Sequence, residues 1–315
     1  MSGMKMPAGY QPGRWQQHTP YSDPGCYAAL VEPIPADTVA LSAVARNLIV
    51  HYRASGSELP VRTRDDIDAR WVEAILDRDQ SRHPGDLTAE RQEPTRVQGC
   101  CRDHSLFSAA VLRQHRVAAR IRYGFAGYFI DGFHVDHVVV EVWEPEQRRW
   151  RRFDPEVGEP TADLPSPQDI PTGLGSPYET AAEVWRAHRS GHLDAAAYGV
   201  APGAEVGGAW YIHNAVLIDA AFRSGHELLL WDIWAPMSTP DGPTPDQAAL
   251  VDEVAALVVA ADDGDTAAEA ELIERMRHDP QLAPGTMIQT VDPRSGSVRP
   301  TDLTIRQHPA RYVPQ

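Results

Sequence analysis

The apolar positions divide the chain into segments of different texture. From Asp37 to about Arg53 they recur at helical spacing, at Val39, Leu41, Val44, Leu48 and Ile49, and the pattern ends before Gly56, which predicts a helix. Thr63 with Asp66 has the spacing of a capping box and predicts a second helix from Thr63 to about Asp79. In GCCRDHSLFSAAVLRQHR, residues Leu106, Phe107, Ala110 and Val111 share one helical face, so Cys101 stands at or just before a helix N-terminus. Three β-rich runs follow: Val117 to Ile130, Val135 to Trp143, and Arg149 to Asp154. Residues 160–177, crowded with Pro and Gly, read as an irregular loop. Tyr178 to His188 and Ala209 to Phe222 read as helices, followed by the apolar LLLWDIW at 228–234. Thr244 with Gln247 and Thr266 with Glu269 are capping-box spacings that open two more helices. The first 30 residues, rich in Gly, Pro and Gln and without periodicity, read as a surface or disordered segment.

Composition narrows the function classes. A chain of 315 residues that is 42% hydrophobic can bury a large core. The 29 basic against 44 acidic residues give a net charge of −15, which argues against a nucleic-acid partner, because phosphates demand a cationic face. Eight acids between Asp252 and Glu274, with no base among them, read as a solvated face of the last helices. The three cysteines, Cys26, Cys100 and Cys101, exclude a disulfide scaffold and fit a reducing, cytoplasmic setting. No apolar run reaches bilayer length and the N-terminal MSGMKMPAGYQPG has no apolar stretch, so no membrane partner is expected.

The chemistry-bearing residues concentrate between Gln98 and Glu156. A thiol becomes a strong nucleophile when its thiolate is stabilised, by the unpaired N–H groups of a helix start and by a nearby imidazolium. Cys101 has the first by position. In VDHVVVEVW, Val138, Val140 and Val142 share one face of a strand, the core side, which leaves His137, Val139, Glu141 and Trp143 on the other. His137 is therefore expected off the core, with Glu141 on its face and lining a cleft. A hairpin loop of Glu144 to Gln147 would set Trp143 opposite Arg148 and His137 directly opposite Asp154, where a carboxylate can orient and charge-stabilise the imidazole.

GCCRDHSLFSAAVLRQHRVAARIRYGF, then DHVVVEVW, then RRWRRFDPE, resembles the transglutaminase-like superfamily of papain-related cysteine enzymes. More loosely, GAWYIHNAVLIDAAFRSGHELLLWDIW resembles the C-terminal helices of bacterial transglutaminase-domain proteins. The resemblance implies an α+β fold, a papain/transglutaminase-like core of a helix packed on an antiparallel sheet, with added N- and C-terminal helices. It implies one domain over residues 31–315, with a catalytic core at 96–160 and a C-terminal helical part at 178–280. It also implies Cys101 as nucleophile, His137 as acid and base, and Asp154 as its orienting partner, in an acyl transfer through a thioester. The substrate class would be a small-molecule or peptide amide or ester, with water or an amine as acceptor, and no cofactor or calcium is implied. A tryptophan is common after the histidine in that family; here it is Val138, so an aromatic wall has to come from elsewhere. Cys100 beside Cys101 is read as packing. Two other classes remain open: a binding module that keeps the fold without catalysis, and a cupin-like metal enzyme using His134 and His137. The second is disfavoured, because residues three apart on a regular strand face opposite ways.

Overall fold

The structure, a computed structural model, describes residues 5–306. In chain order its elements begin with α1 (Ala28–Val31), α2 (Thr38–Leu48), β1 (Ile49–His51), α3 (Val72–Arg82) and β2 (Val97–Gly99). Next come α4 (Cys101–Gln114), β3 (Ala119–Ile130), β4 (Phe133–Glu144), β5 (Arg149–Phe153), β6 (Tyr178–Thr180), α5 (Ala181–Arg189) and β7 (Tyr198–Gly199). The chain then forms α6 (Ala209–Ser224), β8 (Asp232–Ile233), α7 (Pro245–Asp262), α8 (Thr266–His278), β9 (Met287–Val291) and β10 (Val298–Asp302). Among the described residues no helix is long and apolar enough to cross a membrane.

The centre is a mixed architecture of helices and antiparallel strands. The sheet runs β5-β4-β3-β6, with β7 added parallel to the start of β4. Val138, Val140 and Val142 pair with Tyr123, Ile121 and Ala119, and this apolar face receives α4. The Ser105 hydroxyl of α4 donates to the Val138 carbonyl at 2.8 Å and pins the helix to the strand. Gly124 stands between His137 and Thr180 in register, and a Cβ there would sit 2.1 Å from the Glu179 carbonyl oxygen. The close approach of β6 therefore requires a residue without a side chain.

The opposite face was expected to be open, and it is buried. Leu164 and Ile170, from the irregular segment before β6, cover Ala126, Tyr128 and Val139. Farther along, Arg120, Arg122 and Arg152 converge on Glu141, and Asp262 of α7 meets Arg120, Arg122 and Arg223. Asp219 of α6 accepts from Arg122 and also from the Tyr123 backbone N–H at 2.8 Å. Glu141 is thus not a cleft residue: it is 3% exposed and holds three guanidinium groups beneath the C-terminal helices. The acids of the last two helices are likewise not all solvated, since Asp262 and Glu269 face Arg223, and Asp252 accepts from the Trp185 indole.

Several local expectations change for identifiable reasons. The helix opened by Asp37, which accepts from the Val39 and Ala40 N–H groups, ends at Leu48 rather than Arg53. Ile49–His51 instead pairs in parallel with Val97–Gly99, a partner that local periodicity cannot reveal. Residues Val61–Asp68 form a 3-10 helix and α3 starts only at Val72, because Asp66 is drawn to the Gln98 N–H and the Arg82 guanidinium. Tyr178–Thr180 is a strand edge, and the helix after it starts at Ala181 under a Thr180/Glu183 capping box. LLLWDIW yields only the two-residue β8, and α8 is capped by Asp265 rather than Thr266. The N-terminal segment is not simply a surface tail over its described part: Met6 and Trp15 are buried with Trp150, and Tyr10 packs on Trp143. Residues 1–4 of that segment lie outside the described residues.

Burial alone would raise the Glu141 carboxyl, but Arg120, Arg122 and Arg152 together hold it down at about 2. Its stabilising contribution is therefore present above the unfolded value of about 4.3 and is lost as pH falls through the folded one. Glu141→Gln should cost about 3–5 kcal/mol at pH 7, as for a broken buried ion pair, and should flatten the acid-side loss of stability. Urea titrations from pH 7 to pH 2 read both effects; an unchanged midpoint at pH 7 would contradict the assignment.

Candidate active site

The site begins where β2 becomes α4. Cys100 is the N-cap, and its sulfur faces the Asp103 N–H while the Asp103 carboxylate accepts the Cys100 N–H at 2.8 Å. A Cβ on Gly99 would lie 2.8 Å from that carboxylate and 2.9 Å from Ile49, so the cap closes only over glycine. Cys100, read from sequence as packing, thus shapes the helix start. Arg102 is fully buried and donates to the carbonyls of Arg70 and Glu227 as well as to Asp103. His104 ties the first turn to β1 through the Ile49 carbonyl at 3.2 Å. Cys101 is the first helical residue, and its backbone N–H has no acceptor among the described residues, as expected of a helix start.

His137 and Asp154 are brought together, with Nε2 of the imidazole 2.8 Å from Oδ2 of the carboxylate. The route differs from the expected one. β5 pairs with β4 two residues out of the anticipated register: Trp143 faces Trp150 and Glu144 faces Arg149, with Pro145–Arg148 forming the loop and Arg148 taking a left-handed conformation. The Trp143–Trp150 contact, 5.5 Å between ring centroids, favours this register. A shift of two preserves the face, so Asp154 comes diagonally to His137 rather than directly opposite. Asp154 then leaves the strand, its N–H donating to the Pro167 carbonyl and its Oδ1 accepting from the Glu156 N–H.

Tyr128 completes the arrangement by donating to Asp154 Oδ2 at 2.7 Å. Phe129 sets its ring 4.9 Å from that of His137, so aromatic surface beside the histidine comes from β3. On the other face of the sheet Asp136 accepts from Tyr211 at 2.8 Å and Tyr123 at 3.1 Å. Asp136, Tyr123, Tyr128 and Tyr211 were not singled out from sequence; their convergence depends on α6 and on the register of β3, which no local pattern encodes. His134, once paired with His137 as a possible ligand set, instead meets Glu179 at 3.1 Å. Among the described residues no cluster of His, Cys, Asp and Glu has an arrangement able to hold a metal ion.

His137 and Cys101 are both shifted from their ordinary ranges. Burial would lower the His137 imidazole, but Asp154, with Glu156 and Asp136, raises it above the ordinary histidine range. The Cys101 thiol is pushed well above its usual range by the hydrogen bond it donates to the Cys100 sulfur, by burial, and by Cys100, Glu156 and Asp136. Both groups therefore feel the same two carboxylates. Among the described residues no hydrogen bond joins Cys101 to His137, and the imidazole Nδ1 is unclaimed by protein. The raised thiol favours the neutral form of Cys101 over a thiolate paired with the imidazolium.

Residues 63–155 match the model of the transglutaminase-like superfamily. Among solved structures, a candidate cysteine protease from Cytophaga hutchinsonii aligns at 12% identity with a TM-score of 0.31, over 49% of this chain and 46% of that one. The chain thus spans under half of that protein's length. No curated protein matches the chain.

His137 contributes stability below its unfolded value near 6.5 that is lost as pH rises through its raised folded one; Asp154, held low, contributes above about 3.9. Asp154→Asn should therefore destabilise the protein most between about pH 4 and pH 6.5. It should also move the His137 midpoint down, read by NMR of the imidazole carbons. A midpoint that stays raised would contradict the pairing. Residues 63–155, which hold Cys101, His137 and Asp154, are thus similar to the transglutaminase-like superfamily.

Proposed function

We propose that the chain is a cysteine-dependent acyl-transfer enzyme acting on a small-molecule or peptide amide or ester through a thioester on Cys101. The observation that carries this reading is the His137–Asp154 contact at 2.8 Å, made through Nε2 so that Nδ1 remains available for a thiol proton. A cysteine at a helix start, within the same transglutaminase-like segment, supports it.

In the proposed sequence the substrate carbonyl enters against α4, and His137 takes the Cys101 proton as sulfur attacks. Contacts of this kind are often long in unliganded proteins and tighten with substrate. Asp154 holds the imidazolium, and the unclaimed Cys101 N–H faces the developing oxyanion. His137 then gives its proton to the leaving amine or alcohol. Water or an amine resolves the thioester with His137 again as base, so one site serves hydrolysis and amide formation.

An activated ester such as p-nitrophenyl acetate tests the reading. The wild-type protein should release a nitrophenolate burst of one equivalent, and Cys101→Ser should abolish it. His137→Ala should slow acylation by about 10²–10⁴-fold, the usual weight of general acid–base catalysis. Cys26→Ser should behave as wild type. A burst that survives Cys101→Ser sinks the assignment, and the absence of any burst favours a binding module with the same fold.

A further inference from the structure

His51 is the group in this region with no part in the sequence reading and no part in the acyl transfer just described. It ends β1, where it pairs with Gly99. Paired residues of parallel strands project to the same face. The Cβ direction of Gly99 points at Ile49 Cγ2 and at the Asp103 carboxylate of α4, so that face of β1 and β2 is the one on which the first turn of α4 rests. Ile49 fills the space under Gly99, and His51 lies one pleat farther along, level with the turn where β2 becomes α4.

The imidazole is oriented from behind. Its Nδ1 accepts from two backbone N–H groups, Arg53 at 3.2 Å and Ala54 at 3.1 Å. A nitrogen that accepts carries no proton, so the neutral ring holds its proton on Nε2. Tyr52 stacks on the ring at 13°, which limits its rotation. Nε2, the other ring nitrogen, has no partner among the described residues. Burial lowers the imidazole below its ordinary range, against Glu156, and His104, His137 and Asp136 also act on it. Glu156 and Asp136 also act on Cys101 and His137, in keeping with the placement of His51 that the strand pairing gives.

We propose that His51 is a catalytic residue of the acyl transfer: its Nε2–H is the second donor, with the Cys101 N–H, to the oxygen of the tetrahedral intermediate. The assignment rests on the acyl-transfer reading. As the C–S bond forms, the carbonyl π pair moves to oxygen and is held by these two donors, neither of which gives up its proton. The thiol proton resides on His137 during this step and passes to the leaving group as the C=O bond re-forms. A donor for this task has to be neutral and fixed before reaction, which is what the two backbone bonds to Nδ1 provide.

The test separates two reactions of the same sulfur. Acylation by p-nitrophenyl acetate passes through an oxyanion, whereas alkylation by iodoacetamide displaces iodide at a saturated carbon and forms none. His51→Ala should slow acylation of Cys101 by about 10²–10³-fold, the usual cost of one oxyanion donor, and leave alkylation within about twofold of wild type. His51→Gln, whose amide can donate, should recover part of the loss. Equal slowing of both reactions would mean a structural role and overturn the proposal, as would wild-type acylation in His51→Ala. If wild type itself forms no acyl-enzyme, it is the acyl-transfer reading that fails. Nitrogen NMR of the wild-type imidazole needs no variant: a neutral Nε2–H tautomer at pH 7 is expected, and an imidazolium or an Nδ1–H tautomer overturns the assignment.

Discussion

The structure of the site depends on one reciprocal contact, the cap between Cys100 and Asp103. It stops β2 at Gly99, turns the chain in a single residue and starts α4 at Cys101, with the Asp103 carboxylate on the Cys100 N–H at 2.8 Å. Cys101 and the two proposed oxyanion donors are placed from that corner. The free Cys101 N–H is free because it lies in the first turn, and His51 is near because β1 pairs with the strand that ends there. Gly99 permits the corner and Arg102 anchors it from below through buried carbonyls.

The second half of the site is held by the sheet, and the sheet is held from both faces. On one side α4 packs on the valines of β4. On the other, the arginines of β3 and β5 share Glu141 and reach Asp219 and Asp262 on α6 and α7. Charges so deeply buried are tolerated only when each has partners, and their geometry fixes where the C-terminal helices sit. That matters for the chemistry because Tyr211 of α6 crosses to Asp136 beside Cys101. Cys100 and burial, with this acidic surround added, raise the Cys101 thiol well above its usual range.

The legible parts of the sequence were those with local causes. The stripe of α4, the alternation of β4 and the order of Cys101, His137 and Asp154 each depend on neighbours a few residues away, and the family match falls on the same stretch. The contact between His137 and Asp154 was reached through a register in error by two residues, and it survived because side-chain direction repeats every two. What stayed hidden depends on distant partners. Ile49–His51 reads as the end of a helix until Val97–Gly99 pairs with it, and Glu141 reads as a cleft residue until three arginines fold over it. Trp15 reads as part of a tail because its partner Trp150 lies far along the chain.

In the proposed reaction Cys101, rather than its neighbour, carries the acyl group. Acid-quenched protein taken during turnover, digested and sequenced by tandem mass spectrometry, reads the position directly, since fragmentation between Cys100 and Cys101 separates the two sulfurs. A hydroxylamine-sensitive acyl group on Cys101 is expected. An acyl group on Cys100 or Cys26, or steady turnover with none on any cysteine, would contradict it.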